Sequence, residues 1–302
     1  MQEILVRAGC FVAIIIMGYV LRQVGVFKKD DFKVLSKIVL KITLPAAIIT
    51  NFAGKSIEIN MLIIALIGMG SGILYMVIGY FMNKRNGIEQ QAFGLLNLSG
   101  YNIGNFTMPF VQSFLGPIGV ITTSVCDVGN AFVCLGGAYS VASSMKGNGV
   151  FSFKKILKTL VKSVAFDCCL IMIVLGLAGI SLPSPVVSLA GLIGNANAFL
   201  AMLMLGVGFQ LSGDKKQMCI IMKCLAIRYS VAVVLAIGCF YLLPFSLEIR
   251  KTMVILAFSP IAGAAPAFTG ELESDVGLSS AINSISIVCS IVIIVGILLF
   301  MF

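Results

Sequence analysis

The sequence YNIGNFTMPF, residues 101–110, decides the fold because it places polar and helix-breaking residues inside an apolar segment of membrane-spanning length. Proline removes a backbone donor and clashes with the preceding turn, and glycine weakens a helix. We therefore predict that this segment is interrupted near its middle. Unpaired backbone groups at that depth are tolerated only where they are buried in protein or line a wet cavity.

The composition of the chain indicates a bilayer environment. Hydrophobic residues make up 59% of the 302 residues and charged residues only 11%, and the mean hydropathy is +1.09. Soluble domains have about 25% charged residues, and apolar runs of about 20 residues are typical of membrane spans. We predict an all-α integral membrane protein whose surroundings are the lipid bilayer.

Neither the charge nor the cysteines indicate another class of protein. The net charge of +9 comes from short lysine and arginine clusters between apolar runs, without interleaved aromatic residues, so we predict no nucleic-acid partner. The nine cysteines lie almost wholly in apolar segments, and the chain has no histidine, so we predict no metal site and no cofactor. Cys168 and Cys169 are interpreted as packed thiols, with a redox-active pair as the alternative.

Turn and charge punctuation divides the chain into ten apolar segments. Most of them exceed the roughly 20 residues of a straight crossing, so tilting or kinking is expected. The segments are approximately 4–22, 32–53, 58–82, 89–113, 117–143, 156–180, 185–210, 217–243, 248–270 and 277–301.

The distribution of cations between the loops gives an orientation. When the loops alternate between two faces, one face has only Arg7, Lys55, Arg250 and Lys251. By the positive-inside rule the other face is cytoplasmic. We therefore predict a multi-pass protein of the cell membrane with both termini extracytoplasmic. The cations of the cytoplasmic face are Arg22, Lys28, Lys29, Lys33, Lys84, Arg85, Lys146, Lys154, Lys155, Lys158, Lys215 and Lys216.

The chain is predicted to consist of two halves of opposite orientation. The longest polar connection, residues 146–153, is a predicted cytoplasmic linker between a first unit, 1–145, and a second unit, 154–302, of five segments each. A duplicated unit with an odd number of crossings must insert in opposite directions. This inverted-repeat arrangement is common in secondary transporters.

Helix breakers occupy corresponding places in the two halves. The fourth segment has YNIGNFTMP and the ninth has SPIAGAAPAFTG, residues 259–270. One such break is typical of a proline kink, but two at matching positions indicate one central site. We assign Pro45 of the second segment to this site too, with a packing kink as the alternative. The other predicted binding residues are Asn102, Gly104, Asn105, Thr107, Pro109, Ser259, Pro260, Gly263 and Pro266.

Ionisable residues inside the membrane are functional candidates. We predict that Asp127, with Asn130 three residues on, binds a coupling proton or sodium ion. The alternative is a purely structural pair between Asp127 and Arg228 of the eighth segment. Asp167 is interpreted as part of the cytoplasmic rim, because Lys162 is near it in the sequence.

Five motifs, in their order and spacing, resemble the auxin efflux carrier family of membrane transporters and, more distantly, the bile acid sodium symporters. The resemblance covers the whole chain. The motifs are LPAAIITNFAG (44–54), NIGNFTMP (102–109), CDVGNAFV (126–133), FLAMLMLGVGFQLSG (199–213) and SPIAGAAPAF (259–268).

The resemblance implies ten transmembrane helices in two inverted five-helix repeats, with crossed and broken helices 4 and 9. It also implies elevator-type transport of a small organic anion, a carboxylate such as malate or malonate in bacterial relatives and auxin in plant relatives. Half-helices that begin near Pro109 and Pro266 would turn their amino-terminal ends toward that anion. Coupling to H⁺ or Na⁺, uniport and the oligomeric state, a homodimer included, stay open.

Two other classes remain as alternatives. An anion-selective channel also uses broken helices, although the chain has neither a repeated filter sequence nor a ring of like charges. A non-transporting receptor would need only the pocket. An intramembrane enzyme is disfavoured, because the chain has no histidine and no GxSxG motif.

Overall fold

The computed structural model describes residues 2–28, 30–55, 57–147, 151–209 and 215–301. Within these ranges the chain is helical and has no β-strand. The α-helices there are α1 Gln2–Gln23, α2 Asp31–Ile38, α3 Leu44–Phe52, α4 Leu62–Met82, α5 Ile88–Leu98, α6 Met108–Phe114, α7 Gly116–Phe132, α8 Ala138–Met145, α9 Phe153–Leu160, α10 Val164–Leu177, α11 Ser184–Gly194, α12 Asn197–Gly208, α13 Lys215–Leu242, α14 Leu247–Ala257, α15 Ala265–Glu271 and α16 Val276–Met301.

Parts of the sequence-based interpretation lie outside the described residues. They are the centre of the predicted linker at 148–150, the end of the seventh-segment motif at 210–213 and Lys29, together with the side chains of Lys215 and Lys216.

Several helices have the length and hydropathy of membrane spans. In the described ranges there are six, or seven if α9 and α10, which meet at 81°, form one bent span. The predicted segments 32–53, 89–113 and 248–270 are each divided between two shorter helices. The chain is thus a multi-pass helical membrane protein, and the count of ten crossings stays a prediction. The six are Leu5–Gln23, Ile59–Met82, Gly116–Met145, Ser184–Gly208, Gln217–Leu242 and Val276–Met301.

The sixth predicted segment, 156–180, differs from the single helix expected. Helix α9 exposes its lysines and buries Ile156 and Leu160, which is the pattern of a helix at the lipid–water interface. The chain then turns by 81°, and the Ser163 hydroxyl accepts a hydrogen bond from the Phe166 N–H, at 3.4 Å, as the N-cap of α10.

Two prolines follow a π-helical turn in the same way. The turn Val39–Thr43 precedes Pro45, and the turn Ile103–Thr107 precedes Pro109. In both, the residue before the proline donates its N–H to the carbonyl five residues earlier. Each proline therefore stands in the first turn of the following helix, α3 or α6, where a missing backbone donor is tolerated.

The distribution of burial fits a lipid solvent. Apolar side chains such as Leu192, 77% exposed, and Leu242, 81% exposed, cover the outside. Polar side chains such as Asn130 and Asn197 are completely buried. In a bilayer an exposed leucine stays in an apolar medium, whereas a polar group needs a partner inside the protein.

The helices pack as two groups. The first helix group comprises α1–α3 and α10–α12, and the second helix group comprises α4–α8 and α13–α16, while α9 packs beside α7 of the second group. Glycines permit the closest approaches within each group. A Cβ on Gly206 of α12 would overlap the Ile15 carbonyl of α1, and one on Gly129 of α7 would overlap the Ala65 carbonyl of α4. Fewer contacts join the groups, mainly from α3 and α10 to α7 and from α12 to α6.

Candidate functional site

The two predicted breaks are present and touch each other. The first lies between α5 and the π-helical turn Ile103–Thr107, and the second lies between α14 and α15. The Asn102 N–H donates to the Pro260 carbonyl at 2.9 Å, and the Thr107 hydroxyl donates to Ser259 Oγ at 2.6 Å. One backbone and one side-chain hydrogen bond therefore join the fourth and ninth segments at their interruptions.

Asn130 of α7 holds the first break in shape. Its Oδ1 accepts from the Tyr101 N–H at 2.9 Å, and its Nδ2 donates to the Tyr101 carbonyl at 3.0 Å. Gly100, directly before Tyr101, has a φ of +68°, a left-handed conformation that favours glycine. The amide of one asparagine thus replaces the helical partners that Tyr101 lacks.

Asn283 of α16 has the same role at the second break. Its Nδ2 donates to the carbonyls of Ile261 and Ala262, at 2.9 and 3.2 Å. Ser286 Oγ accepts from the Ile261 N–H at 3.2 Å, and Ser290 Oγ donates to the Phe258 carbonyl at 2.7 Å. Each break is therefore held by side chains of the next predicted segment, on α7 for the first break and on α16 for the second.

A cavity of about 340 Å³ lies beside the two breaks. Five of the predicted site residues line it, namely Asn102, Gly104, Asn105, Asp127 and Gly263. Its other walls come from both helix groups. These walls include Phe32, Ser36, Leu40, Leu44, Ile48, Tyr101, Ser124, Cys134, Ser163, Phe166, Cys169, Met204, Phe209, Asn283 and Ser284.

The remaining predicted site residues surround the cavity without lining it. Thr107, Ser259 and Pro260 form the contact between the breaks, and Asn130 supports Tyr101. Three prolines, Pro45, Pro109 and Pro266, occupy the first turns of α3, α6 and α15. Their position indicates that they shape the helices next to the cavity.

The charged lining of the cavity is acidic. Asp127 is the only charged residue among its described lining residues, and no lysine or arginine is there. Asp127 Oδ1 accepts from Asn130 Nδ2 at 2.8 Å. Two further polar atoms, Asn105 Oδ1 and Ser124 Oγ, are buried without a hydrogen-bond partner. Unsatisfied atoms beside a cavity are available to a bound molecule or to water.

Arg228 does not pair with Asp127, and no ion pair joins these two described residues. Its guanidinium donates instead to the carbonyls of Leu98 and Ser259, at 2.6 and 3.2 Å. The sequence left this pair as the structural alternative to an ion-binding Asp127, because a carboxylate inside the membrane can be neutralised by a cation of the eighth segment. The backbone carbonyls released by the breaks provide the partners that this reasoning did not consider.

Sequence reasoning also missed Asn283 and Ser284, although Asn283 is the one asparagine in the apolar run 277–301. An amide in such a run is a signal for a buried hydrogen bond, but its partner depends on tertiary structure. Cys168 and Cys169 are free thiols that donate to the carbonyls of Pro45 and Ser124, at 3.5 and 3.4 Å.

Known proteins with similar sequences identify the family. The model of the membrane transport protein family matches residues 10–298. An uncharacterized transporter of Methanothermobacter thermautotrophicus is 24% identical over 286 residues, which cover 92% of each chain. The chain therefore belongs to the membrane transport protein family, that of the auxin efflux carriers, and is a transporter and not an enzyme.

Proposed function

We propose that the protein is a secondary active transporter that moves a small organic anion, a carboxylate or an auxin-like acid, across the cell membrane. Ten crossings form two inverted repeats, residues 1–145 and 154–302, with both termini extracytoplasmic. The observation that carries the proposal is the cavity at the contact of two helix breaks, because broken helices at a repeat interface are typical substrate sites of such carriers.

The position of the cavity supports alternating access. One wall belongs to the first helix group and the other to the second. The first helix group contains the first and second predicted segments of each half, and the second helix group contains the third to fifth segments of each half. A movement of one group against the other would change which membrane face the cavity meets. We therefore propose an elevator-type mechanism in which the second helix group carries the substrate past the first.

The polar groups of the cavity suit a carboxylate. The amides of Asn102 and Asn105 line it, and so do Ile103 and Gly104, which begin the helical segment there. Free N–H groups at the start of a helical segment favour negative charge. Amides also bind an anion without the desolvation cost of a buried charge.

Because Asp127 lines the cavity, binding of a substrate anion there would depend on binding of a coupling cation. An ionised Asp127 would repel an anion in the same cavity, since like charges in a medium of low dielectric constant disfavour each other. A proton or a sodium ion on Asp127 removes this repulsion. We propose that Asp127, supported by Asn130, binds the coupling H⁺ or Na⁺.

Uptake into proteoliposomes tests the proposal. Radiolabelled malate, malonate, succinate and indole-3-acetate are offered with and without imposed proton and sodium gradients. We expect saturable uptake of at least one acid, and an affinity about 10-fold lower in Asn102→Ala and Asn105→Ala, as loss of one hydrogen bond predicts. Asn60→Ala is the matched control, because Asn60 is exposed and its amide donates to the Glu58 carboxylate at the protein surface.

Three results would contradict the proposal. A non-saturating conductance would indicate a channel, and tight binding without flux of any bound acid would indicate a receptor. Wild-type affinity in both cavity variants would place the substrate site elsewhere.

A further inference from the structure

Arg228 is a buried charge without a carboxylate partner. It lies at the middle of α13, and its side chain is 1% exposed. Within the described chain no Asp or Glu lies at ion-pair distance from it. A guanidinium stays protonated in proteins, and an uncompensated charge in such a place is very unfavourable. The surroundings must therefore stabilise a positive charge in another way.

Two released carbonyls and two aromatic rings provide this stabilisation. Leu98 ends α5, and Ser259 lies two residues after the end of α14, so Arg228 contacts the carboxyl-terminal end of the helix that precedes each break. The guanidinium carbon lies 4.3 Å from the centre of the Tyr75 ring and 4.8 Å from that of Tyr101. Carboxyl-terminal helix ends and ring faces both attract cations.

This position has the chemistry of a cation site. Unwound carbonyls and carboxyl-terminal ends of half-helices are the groups that coordinate sodium in transporters with broken helices. Here both carbonyls already accept hydrogen bonds from one covalently attached cation. A sodium ion at this place would have to displace the guanidinium.

The helix crossing is the place where the two breaks meet, at the contacts of Asn102 with Pro260 and of Thr107 with Ser259. We propose that Arg228 is the resident cation of the helix crossing: its guanidinium takes the place of a transported sodium ion and holds the two breaks together throughout the transport cycle. The inference rests on the proposed function in one respect, that the crossing is part of a moving carrier. Its consequence is that a coupling ion has to bind in the cavity, where Asp127 is the one carboxylate among the described lining residues. Arg228 is a positioning residue and does not contact the substrate cavity.

Thermal unfolding of the purified protein in detergent tests the proposal without a substrate. We expect the midpoint of Arg228→Ala to fall by roughly 5–10 °C, because two carbonyls lose a charged donor. Guanidinium chloride at a few millimolar should restore about half of this loss, whereas choline chloride should not. Lys223→Ala is the matched control, since Lys223 is an exposed cation on the same helix.

Rescue by guanidinium but not by choline distinguishes the loss of a cationic hydrogen-bond donor from the loss of side-chain volume. An unchanged midpoint in Arg228→Ala, or a loss that guanidinium does not reverse, would overturn the proposal. Should Arg228→Ala fail to fold, Arg228→Lys provides the second variant. It keeps the charge but not the forked donor, so we expect an intermediate midpoint, and a midpoint equal to wild type would count against the assignment.

A sodium titration provides an independent readout. We expect sodium to have no saturable effect on the midpoint of Asp127→Asn, since Arg228 fills the crossing and the cavity carboxylate is gone. A saturable sodium effect that persists in Asp127→Asn would show that sodium binds despite Arg228, and would overturn the inference. Neither result depends on carboxylate uptake, so a failure of this inference is distinguishable from a failure of the proposed transport function.

Discussion

Asn130 is the side chain on which the shape of the first break depends, and its replacement by alanine has an effect that can be worked out from the structure. The amide makes three hydrogen bonds, two with the backbone of Tyr101 and one with Asp127. Alanine removes all three and leaves the Tyr101 N–H and carbonyl without partners. Both groups are buried, and Tyr101 packs against the Arg228 guanidinium.

The magnitude lies between two limits. Hydrogen bonds of membrane proteins contribute about 0.6 kcal/mol on average, so loss of the three sets a lower limit of about 2 kcal/mol. A buried backbone group left unsatisfied destabilises by about 1–3 kcal/mol, so the two groups set an upper limit of about 6 kcal/mol. We expect Asn130→Ala to lower the free energy of unfolding by about 3 kcal/mol.

Reversible unfolding in mixed micelles, by titration with sodium dodecyl sulfate and far-ultraviolet circular dichroism, measures this loss. Asn60→Ala is the control, because Asn60 is exposed and its amide donates to the exposed Glu58 carboxylate at 3.1 Å. It should change stability by less than about 0.5 kcal/mol. An Asn130→Ala protein as stable as the Asn60→Ala protein would refute the assignment of Asn130 as the support of the break.

Two further predictions use matched pairs. Gly68→Ala should lower the free energy of unfolding by about 1–3 kcal/mol, because its Cβ would overlap the Cys126 carbonyl, whereas Gly70→Ala meets no atom within 4 Å and should not destabilise. Equal stabilities would refute this close helix contact. Asp127→Asn should abolish the response of uptake to proton and sodium gradients but retain exchange, whereas Asp167→Asn should keep the wild-type response. Gradient-driven accumulation by Asp127→Asn would exclude Asp127 as the coupling site.

The breaks were predictable because their causes are local. Proline and glycine act on the backbone of their own segment, so YNIGNFTMPF and SPIAGAAPAFTG indicated interruptions without knowledge of any neighbour. The bend before α10 had a local signal as well, since Phe153, Ile156, Leu157 and Leu160 follow a helical period among lysines.

The partners of the polar side chains were not predictable in the same way. Asn130 and Asn283 support breaks that lie 29 and about 20 residues away in the chain, and only the packing of α7 and α16 brings them there. Arg228 contacts Leu98 across 130 residues. Opposite charge made Asp127 one possible partner of Arg228, but carbonyls without helical partners attract a guanidinium too. The position of these carbonyls becomes apparent only when both breaks meet.

Protection of a native cysteine tests the central claim, that the substrate occupies the cavity between the breaks. Cys134 lines this cavity and is half-buried, whereas Cys219 is exposed near the start of α13 and serves as the internal control. Labelling by N-ethylmaleimide is followed by mass spectrometry with and without the transported carboxylate. We expect the carboxylate to slow labelling of Cys134 and leave that of Cys219 unchanged. Equal labelling rates of Cys134 with and without saturating carboxylate would contradict a substrate site at the helix crossing.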